Sequence, residues 1–312
     1  MKKEFKTLNE QIEILKNKGL VIEDIEYAKE VLFRENYFFL NGYRHLFMKS
    51  NTDRTYIEGT TFLELYSLFL FDRTFRNIIF KNILVIENNI KSIISYQLSL
   101  KYGYREKDYL TSKNFTPNKE KSKQVNDILK KMKRQININA TQHSATMHYV
   151  TNYGFIPLWV LVKVLSFGIV GELYSILKKE DQLSIADIYN LDIDVLGNYL
   201  TILSNYRNLC AHEDIVFENK TQRKINDTKY HKQLNIPIMD DDYIYGKNDL
   251  FALIIIMKQM LSLEEFTNLM EEIRHNLANL EMNLHHIKID KVLDRMGFPI
   301  NYLEIKNLNW GW

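Results

Sequence analysis

The residues that interrupt helices are scarce in this 312-residue chain, which has 4 prolines and 11 glycines and long stretches with neither. Folds made of many strands and turns need that punctuation, so its scarcity favours helices. A single cysteine, Cys210, excludes an intramolecular disulfide and suits a reducing compartment. Long apolar runs are also missing: Leu65 to Phe71 and Leu250 to Met257 are too short to span a bilayer, so no membrane association is expected. The N-terminal Met1-Lys2-Lys3-Glu4-Phe5-Lys6 is basic but leads into a mixed amphipathic segment rather than a signal peptide, and a cytoplasmic location is expected. Nor does one charge sign prevail, since 41 Lys and Arg face 39 Asp and Glu for a net charge of +2. Proteins that coat nucleic acid carry a larger basic excess, so any such contact should be local, at a site or groove.

What the chain does contain is helix-spaced apolar residues. Leu8, Ile12 and Leu15 define a first helix that Gly19 can end, and Glu23 and Asp24 open a second through Ala28, Val31 and Leu32. The aromatic-rich stretch from Asn36 to Phe47 reads as a short helix or turn. Aromatic residues are abundant, with Tyr leading, and most are expected to fill helix contacts. Thr60 is a plausible N-cap, with Glu64 in the first turn, for a long helix over Phe62 to Tyr102 that has Asp72 as a place to break and Gly103 as its end. Residues 104–149 are polar and carry a basic helical piece with Lys130, Lys131, Lys133 and Arg134, which reads either as an RNA-facing surface, as do Lys220, Arg223 and Lys224 further on, or as a solvated helix face. Pro157 starts another helix, Phe167 to Gly171 reads as a bend, and a helix opened by Asp194 or a neighbour runs on to Arg207. A polar connector with Lys220, Arg223 and Lys224 follows. Asp240 to Asp242 could cap a helix over Tyr243 to Leu261, Leu263 to His286 forms one more, and Trp310-Gly311-Trp312 ends the chain. The fold class is all-α.

One segment concentrates reactive side chains: Arg207-Asn208-Leu209-Cys210-Ala211-His212. Asn208 and His212 are four apart and share a helix face, and the long Arg207 side chain can swing toward the same space. An Arg fork binds phosphate through paired hydrogen bonds at any cellular pH, and a His accepts or donates protons near neutrality. Asn208 can orient the imidazole or the phosphate. This set suits RNA transesterification without a metal or other cofactor, with Arg207 stabilising charge on the phosphate and His212 moving protons at the 2′- or 5′-oxygen. The products would be a 2′,3′-cyclic phosphate and a 5′-hydroxyl. A plainer reading has Arg207 in a surface ion pair with Glu213 or Asp214, and His212 as a cation at a helix C-terminus.

Several ordered blocks resemble a known family. They are Thr7 to Lys16 with Gly19 to Ile22, Asn36 to Tyr43, Phe71-Asp72-Arg73, Ile86-Glu87, Pro157-Leu158-Trp159, Ser166-Phe167-Gly168, and Arg207 to His212. In these the chain resembles the Abi family of bacterial abortive-infection proteins, the group that includes AbiD and AbiF, whose core belongs to the HEPN superfamily. The resemblance implies an HEPN-like helical bundle over residues 60–215 with an insertion at about 104–152. Before it comes a helical extension over 1–59, and after it a polar connector with C-terminal helices over 216–312. It also implies a toxin-like ribonuclease acting in anti-phage defence, with Arg207 and His212 catalytic. One motif per chain implies a homodimer with a composite cleft, and a small noncoding RNA antitoxin is an implied partner besides the RNA substrate. This sequence departs from the family just after the motif, where the acidic Glu213 and Asp214 would repel phosphate.

Glu87 interrupts an apolar run and matches a family carboxylate. It can support Arg207 or His212 from a facing helix, or simply pair with Lys91 one turn on. His143 with His148, and His285 with His286, lack partners at metal-ligand spacing and read as surface residues, and no metal is expected. Cys210 reads as a small packing residue. Gly168 and Gly171 follow no strand and make no phosphate loop. Besides the ribonuclease, two functions remain open: a non-catalytic HEPN RNA-binding or regulatory protein, and a structural adaptor.

Overall fold

Helices dominate the computed structural model, whose described residues are 4–50 and 52–309. Met1 to Lys3 and Trp310 to Trp312 lie outside them. Helix α1 (Leu8–Asn17) starts in a reciprocal Thr7–Glu10 capping box, and Gly19 takes a left-handed φ of 89° just beyond its C-cap. Helix α2 (Ile25–Glu35) is capped by Asp24, and α3 (Tyr37–Gly42) runs into a 3₁₀ turn over Tyr43–Phe47.

Helix α4 (Phe62–Tyr102) is the axis of the molecule: 41 residues, about 60 Å, without a glycine or proline. Its N-cap is Thr61 rather than Thr60. Glu64 is three residues from Thr61, so the two side chains reciprocally bond each other's backbone N–H at 3.2 and 3.1 Å. The helix does not break at Asp72, because that carboxylate is turned inward and satisfied there. Gly103, with φ 94°, ends it.

The polar insertion forms α5 (Glu106–Tyr109), α6 (Ser122–Asn139) and α7 (Ser144–Tyr153). Pro157 caps α8 (Leu158–Val164). The expected bend at Phe167 to Gly171 is instead part of helix α9 (Phe167–Ser175), which Ser166 caps. Helix α10 (Lys179–Ala186) leads to α11 (Ile193–Ala211), which follows Asp192. The glycines of α9 let it lie close against α11: a Cβ at Gly168 would sit 3.4 Å from Ser204 Oγ, and one at Gly171 3.7 Å from Leu200 Cβ. Packing overrides the poor helix propensity of glycine here.

After the short α12 (Lys229–Gln233), Asp240 and Asp241 cap no helix. Both adopt left-handed φ, 51° and 62°, and make the two-residue turn of a hairpin between β1 (Ile238–Met239) and β2 (Asp242–Tyr243). Asp249 caps the next helix, α13 (Leu250–Met260), and α14 (Leu263–Met282) and α15 (Ile289–Met296) complete the set.

Helices α8, α11 and α14 pack along α4, and α9 packs on α11. The α4 positions turned inward recur every three or four residues, from Leu65 and Leu68 through Phe75, Ile79, Ile83, Ile86 and Ile90 to Ile94. Much of the tyrosine content lies inside, including Tyr56, Tyr174, Tyr199, Tyr206 and Tyr230. The fold is all-α, as the punctuation argument expects.

Candidate active site at the C-terminal end of helix α11

Helix α11 carries the motif on its final turns. His212 is the C-cap residue, its backbone N–H bonded to the Asn208 carbonyl at 3.0 Å, and Glu213 turns the chain away with φ 58°. Asn208 and His212 are exposed, and their side chains make no hydrogen bond among the described residues. Cys210 points inward. Burial pushes its thiol up to about 12, so it is a packing residue under the motif, not a nucleophile.

Arg207 is half-buried against α4. Its Nε lies 3.7 Å from Glu87 Oε2, and its guanidinium carbon sits 5.7 Å from the centroid of the Phe80 ring. The other oxygen of Glu87 accepts a hydrogen bond from Lys91 Nζ at 2.7 Å. Glu87 therefore joins both partners weighed for it, Lys91 on its own helix and Arg207 on the facing one. The contact to Arg207 has ion-pair length, and among the described residues neither Glu87 Oε2 nor Arg207 Nε has a hydrogen-bond partner. Arg207 does not pair with Glu213 or Asp214. Phe80, Leu84, Glu87, Asn88 and Lys91 of α4, with Lys163 of α8, line an open groove of about 870 Å³, and Phe80 and Glu87 are the two that Arg207 meets.

The loop after the motif is pinned from below. Asp72 accepts hydrogen bonds from the Tyr43 hydroxyl at 2.7 Å, from Arg76 at 3.2 Å, and from the backbone N–H groups of Val216 and Phe217 at 3.2 and 2.7 Å. Arg76 also donates to the Asp214 carbonyl at 2.9 Å. Burial pushes the Asp72 carboxyl upward, while these donors hold it down. Nearby, Glu35 grips Arg73 through two bonds of 3.0 and 2.5 Å, and Gly42 leaves room for Ile215, whose Cδ1 would be 2.7 Å from a Cβ there. Sequence alone assigns no site role to Tyr43, Arg76 or Phe80. The spacing of Asp72 and Arg76 at i,i+4 is the one local signal that flags a buried pair.

The remaining candidate residues are placed elsewhere. Lys130, Lys131, Lys133 and Arg134 are on α6, and Lys131 pairs with Glu172 of α9 at 2.5 Å. Lys220, Arg223 and Lys224 are exposed. Lys224 pairs with Asp242 at 2.6 Å, and its carbonyl accepts from Asn198 Nδ2 at 2.8 Å. Asn198 precedes Arg207 by nine residues, so Lys224 lies about 14 Å back along α11, while the Asn219 carbonyl, beside Lys220, accepts from the Tyr206 hydroxyl at 3.4 Å. His143 caps α7, His148 packs on Tyr149 and Tyr153, and His286 Nδ1 is 2.7 Å from Glu64. No group of three or more His, Cys, Asp or Glu suited to a metal occurs among the described residues. Among the same residues, no helix is long and apolar enough to cross a membrane.

A profile of the family described as Abi-like protein matches residues 30–218, well over half of the chain. The chain belongs to the Abi-like protein family. No curated protein and no solved structure matches it. The family segment takes in Glu35 with Arg73, Tyr43 with Asp72 and Arg76, and Glu87 with Arg207, so each of these contacts around the motif lies inside it. The resembling blocks at Thr7 to Ile22, the basic Lys220 to Lys224 stretch and the C-terminal helices lie outside it. Membership points to abortive infection, a defence against phage.

Proposed function

We propose that this Abi-like protein is a metal-independent endoribonuclease of the HEPN type that cuts RNA by attack of the 2′-hydroxyl on the adjacent phosphate. The observation that carries the proposal is the setting of Arg207. Its guanidinium lies 3.7 Å from the buried Glu87, which lines a groove, and the exposed Asn208 and His212 follow it on the last turn of α11. The reaction requires a cation to take up charge on the phosphoryl oxygens and an imidazole to transfer a proton, the roles read here for Arg207 and His212. One motif per chain, with Asn208 and His212 exposed, fits a homodimer in which a second motif completes the cleft. The unpaired site also supports the other reading, in which Arg207 and His212 grip RNA without cutting it. Restraint by a small noncoding RNA fits either.

Purified protein incubated with total cellular RNA in EDTA separates them. Cleavage that leaves 2′,3′-cyclic phosphate and 5′-hydroxyl ends, lost in a folded His212→Ala variant that still binds RNA, is the expected result. Cleavage retained by that variant would overturn the assignment. Binding that requires Arg207, with no product from any RNA, would establish the non-catalytic reading.

A further inference from the structure

A second cluster stands where the insertion meets the far end of α4. The Tyr104 ring lies 5.7 Å from Phe155 and 5.4 Å from Trp159, centroid to centroid. The chain of rings continues from Phe155 to Tyr153 at 6.4 Å, and from Tyr153 to Tyr149 at 5.3 Å. Arg105 sits over this surface, 5.0 Å from the Phe155 centroid and 5.8 Å from that of Tyr104. Contiguous rings are normally a buried feature, yet Tyr153 is 58% exposed and Trp159 43%. Their footing is firm. The backbone N–H of Ile156 donates to the Glu106 carboxylate, and the Ile156 carbonyl accepts from the Tyr109 hydroxyl at 2.7 Å.

The cluster connects to the motif. Trp159 and Lys163 are four apart on α8 and share a face, and Lys163 lines the α4 groove with Asn88, Lys91 and Glu87. The ring cluster and the groove thus adjoin through α8, the rings at Trp159 and the groove at Lys163, and the groove wall includes Phe80 and Glu87, which Arg207 meets.

We infer that this track binds an unpaired strand of RNA, with bases stacked on Trp159, Tyr104 and Tyr153 and phosphates met by Arg105 and Lys163, and feeds it to the motif. Aromatic faces interleaved with cations are how single strands are held without sequence choice. A second copy of the chain fits the surface less well. A two-fold contact here would bring two copies of the surface that carries Arg105 and Lys163 together, while the nearby Glu106 is turned inward to the Ile156 backbone and offers them no counter-charge.

The inference rests on the RNA reading of the motif, but it is tested by binding, not cleavage. In a His212→Ala background, Trp159→Leu and Tyr153→Leu should each weaken binding of a 12-nucleotide single-stranded RNA about tenfold by fluorescence anisotropy. A duplex of the same length should bind weakly and equally in all variants. Lys163→Gln leaves the rings intact and should lower the salt dependence of binding by about one charge. Unchanged single-strand affinity in both ring variants overturns the track even if the wild type cuts RNA. A shift in oligomeric state with unchanged affinity overturns it too, assigning the surface to self-association. Lost single-strand binding in the ring variants, in a protein that never cuts RNA, would keep the track and reject the nuclease.

Discussion

Asp72 and Glu87 are two buried carboxylates on α4, about four turns apart, and both face the last stretch of α11 and its exit loop. They are treated in opposite ways. Asp72 has its oxygens filled by a tyrosine hydroxyl, a guanidinium and two backbone N–H groups. Glu87 has one oxygen bonded to Lys91 and the other 3.7 Å from Arg207, without a hydrogen bond among the described residues. A buried acceptor left short of partners costs free energy, and a fold that needed only stability would have filled it or replaced it with an apolar residue. The contrast separates a residue that fastens the loop from one that keeps a cation ready.

Removing Asp72 is the strongest challenge to that contrast. Asp72→Ala leaves Arg76 buried without its counter-charge and frees two backbone donors behind the motif. The expected loss is about 3–5 kcal/mol of stability, or a drop of roughly 10 °C in thermal midpoint, measured by circular dichroism. Any activity loss should track unfolding and recover at lower temperature. Full stability with no activity would erase the distinction from Glu87.

Asp249 sharpens the same point, because backbone groups rather than a guanidinium meet its carboxylate. It caps α13, and it accepts from the backbone N–H groups of Gly246 and Ala252 at 3.0–3.1 Å. Burial pushes its pKa up to about 6 in spite of those bonds. The sign follows from where the proton binds. The folded protein holds it more tightly than the unfolded chain, whose ordinary value is 3.8, so the Asp249 contribution to stability falls as pH rises from about 4 to above 6. The full span is up to about 3 kcal/mol. Asp249→Asn keeps the cap and should flatten that part of the stability profile in urea melts from pH 4 to 7. A profile left unchanged by the substitution would mean that the backbone donors alone compensate the buried charge.

How far the sequence foretells these arrangements depends on the range of the interaction. The start of α4 beside Thr60, its stop at Gly103 and its apolar spacing are local, and they are legible to within a residue. The Asp240-Asp241 turn is easily misread because an acidic triplet suits a helix start as well as a type I′ turn, and the choice is made by strand pairing at Ile238 and Tyr243. Gly168 and Gly171 suggest a bend because their use, close approach to Ser204 and Leu200, depends on residues about thirty positions further on. At the site, the face shared by Asn208 and His212 follows from helix geometry, and Glu87 stands out as a charge in an apolar run. The destination of Asp72, the backbone at Val216 and Phe217, has no local signature. The basic stretch at Lys220 to Lys224 is credible by composition, but a charge run does not say beside which end of α11 it will fold.

Glu87 offers the subtlest change, since both of its neighbours are cations and only one matters for the proposed chemistry. Glu87→Gln keeps the size and an acceptor for Lys91 but removes the charge that steers Arg207. Cleavage should then lose roughly tenfold to a hundredfold in kcat, equivalent to about 1.4–2.7 kcal/mol of transition-state stabilisation. KM should change little, because the substitution keeps the shape of the groove wall that Glu87 lines. Lys91→Met breaks the other half of the arrangement and leaves Glu87 facing Arg207 alone. If Glu87 served only the pair with Lys91, the two variants would lose stability and activity alike. If it positions Arg207, kcat falls in Glu87→Gln and survives in Lys91→Met, and the kinetic split between two neighbours of one carboxylate identifies which contact the site uses.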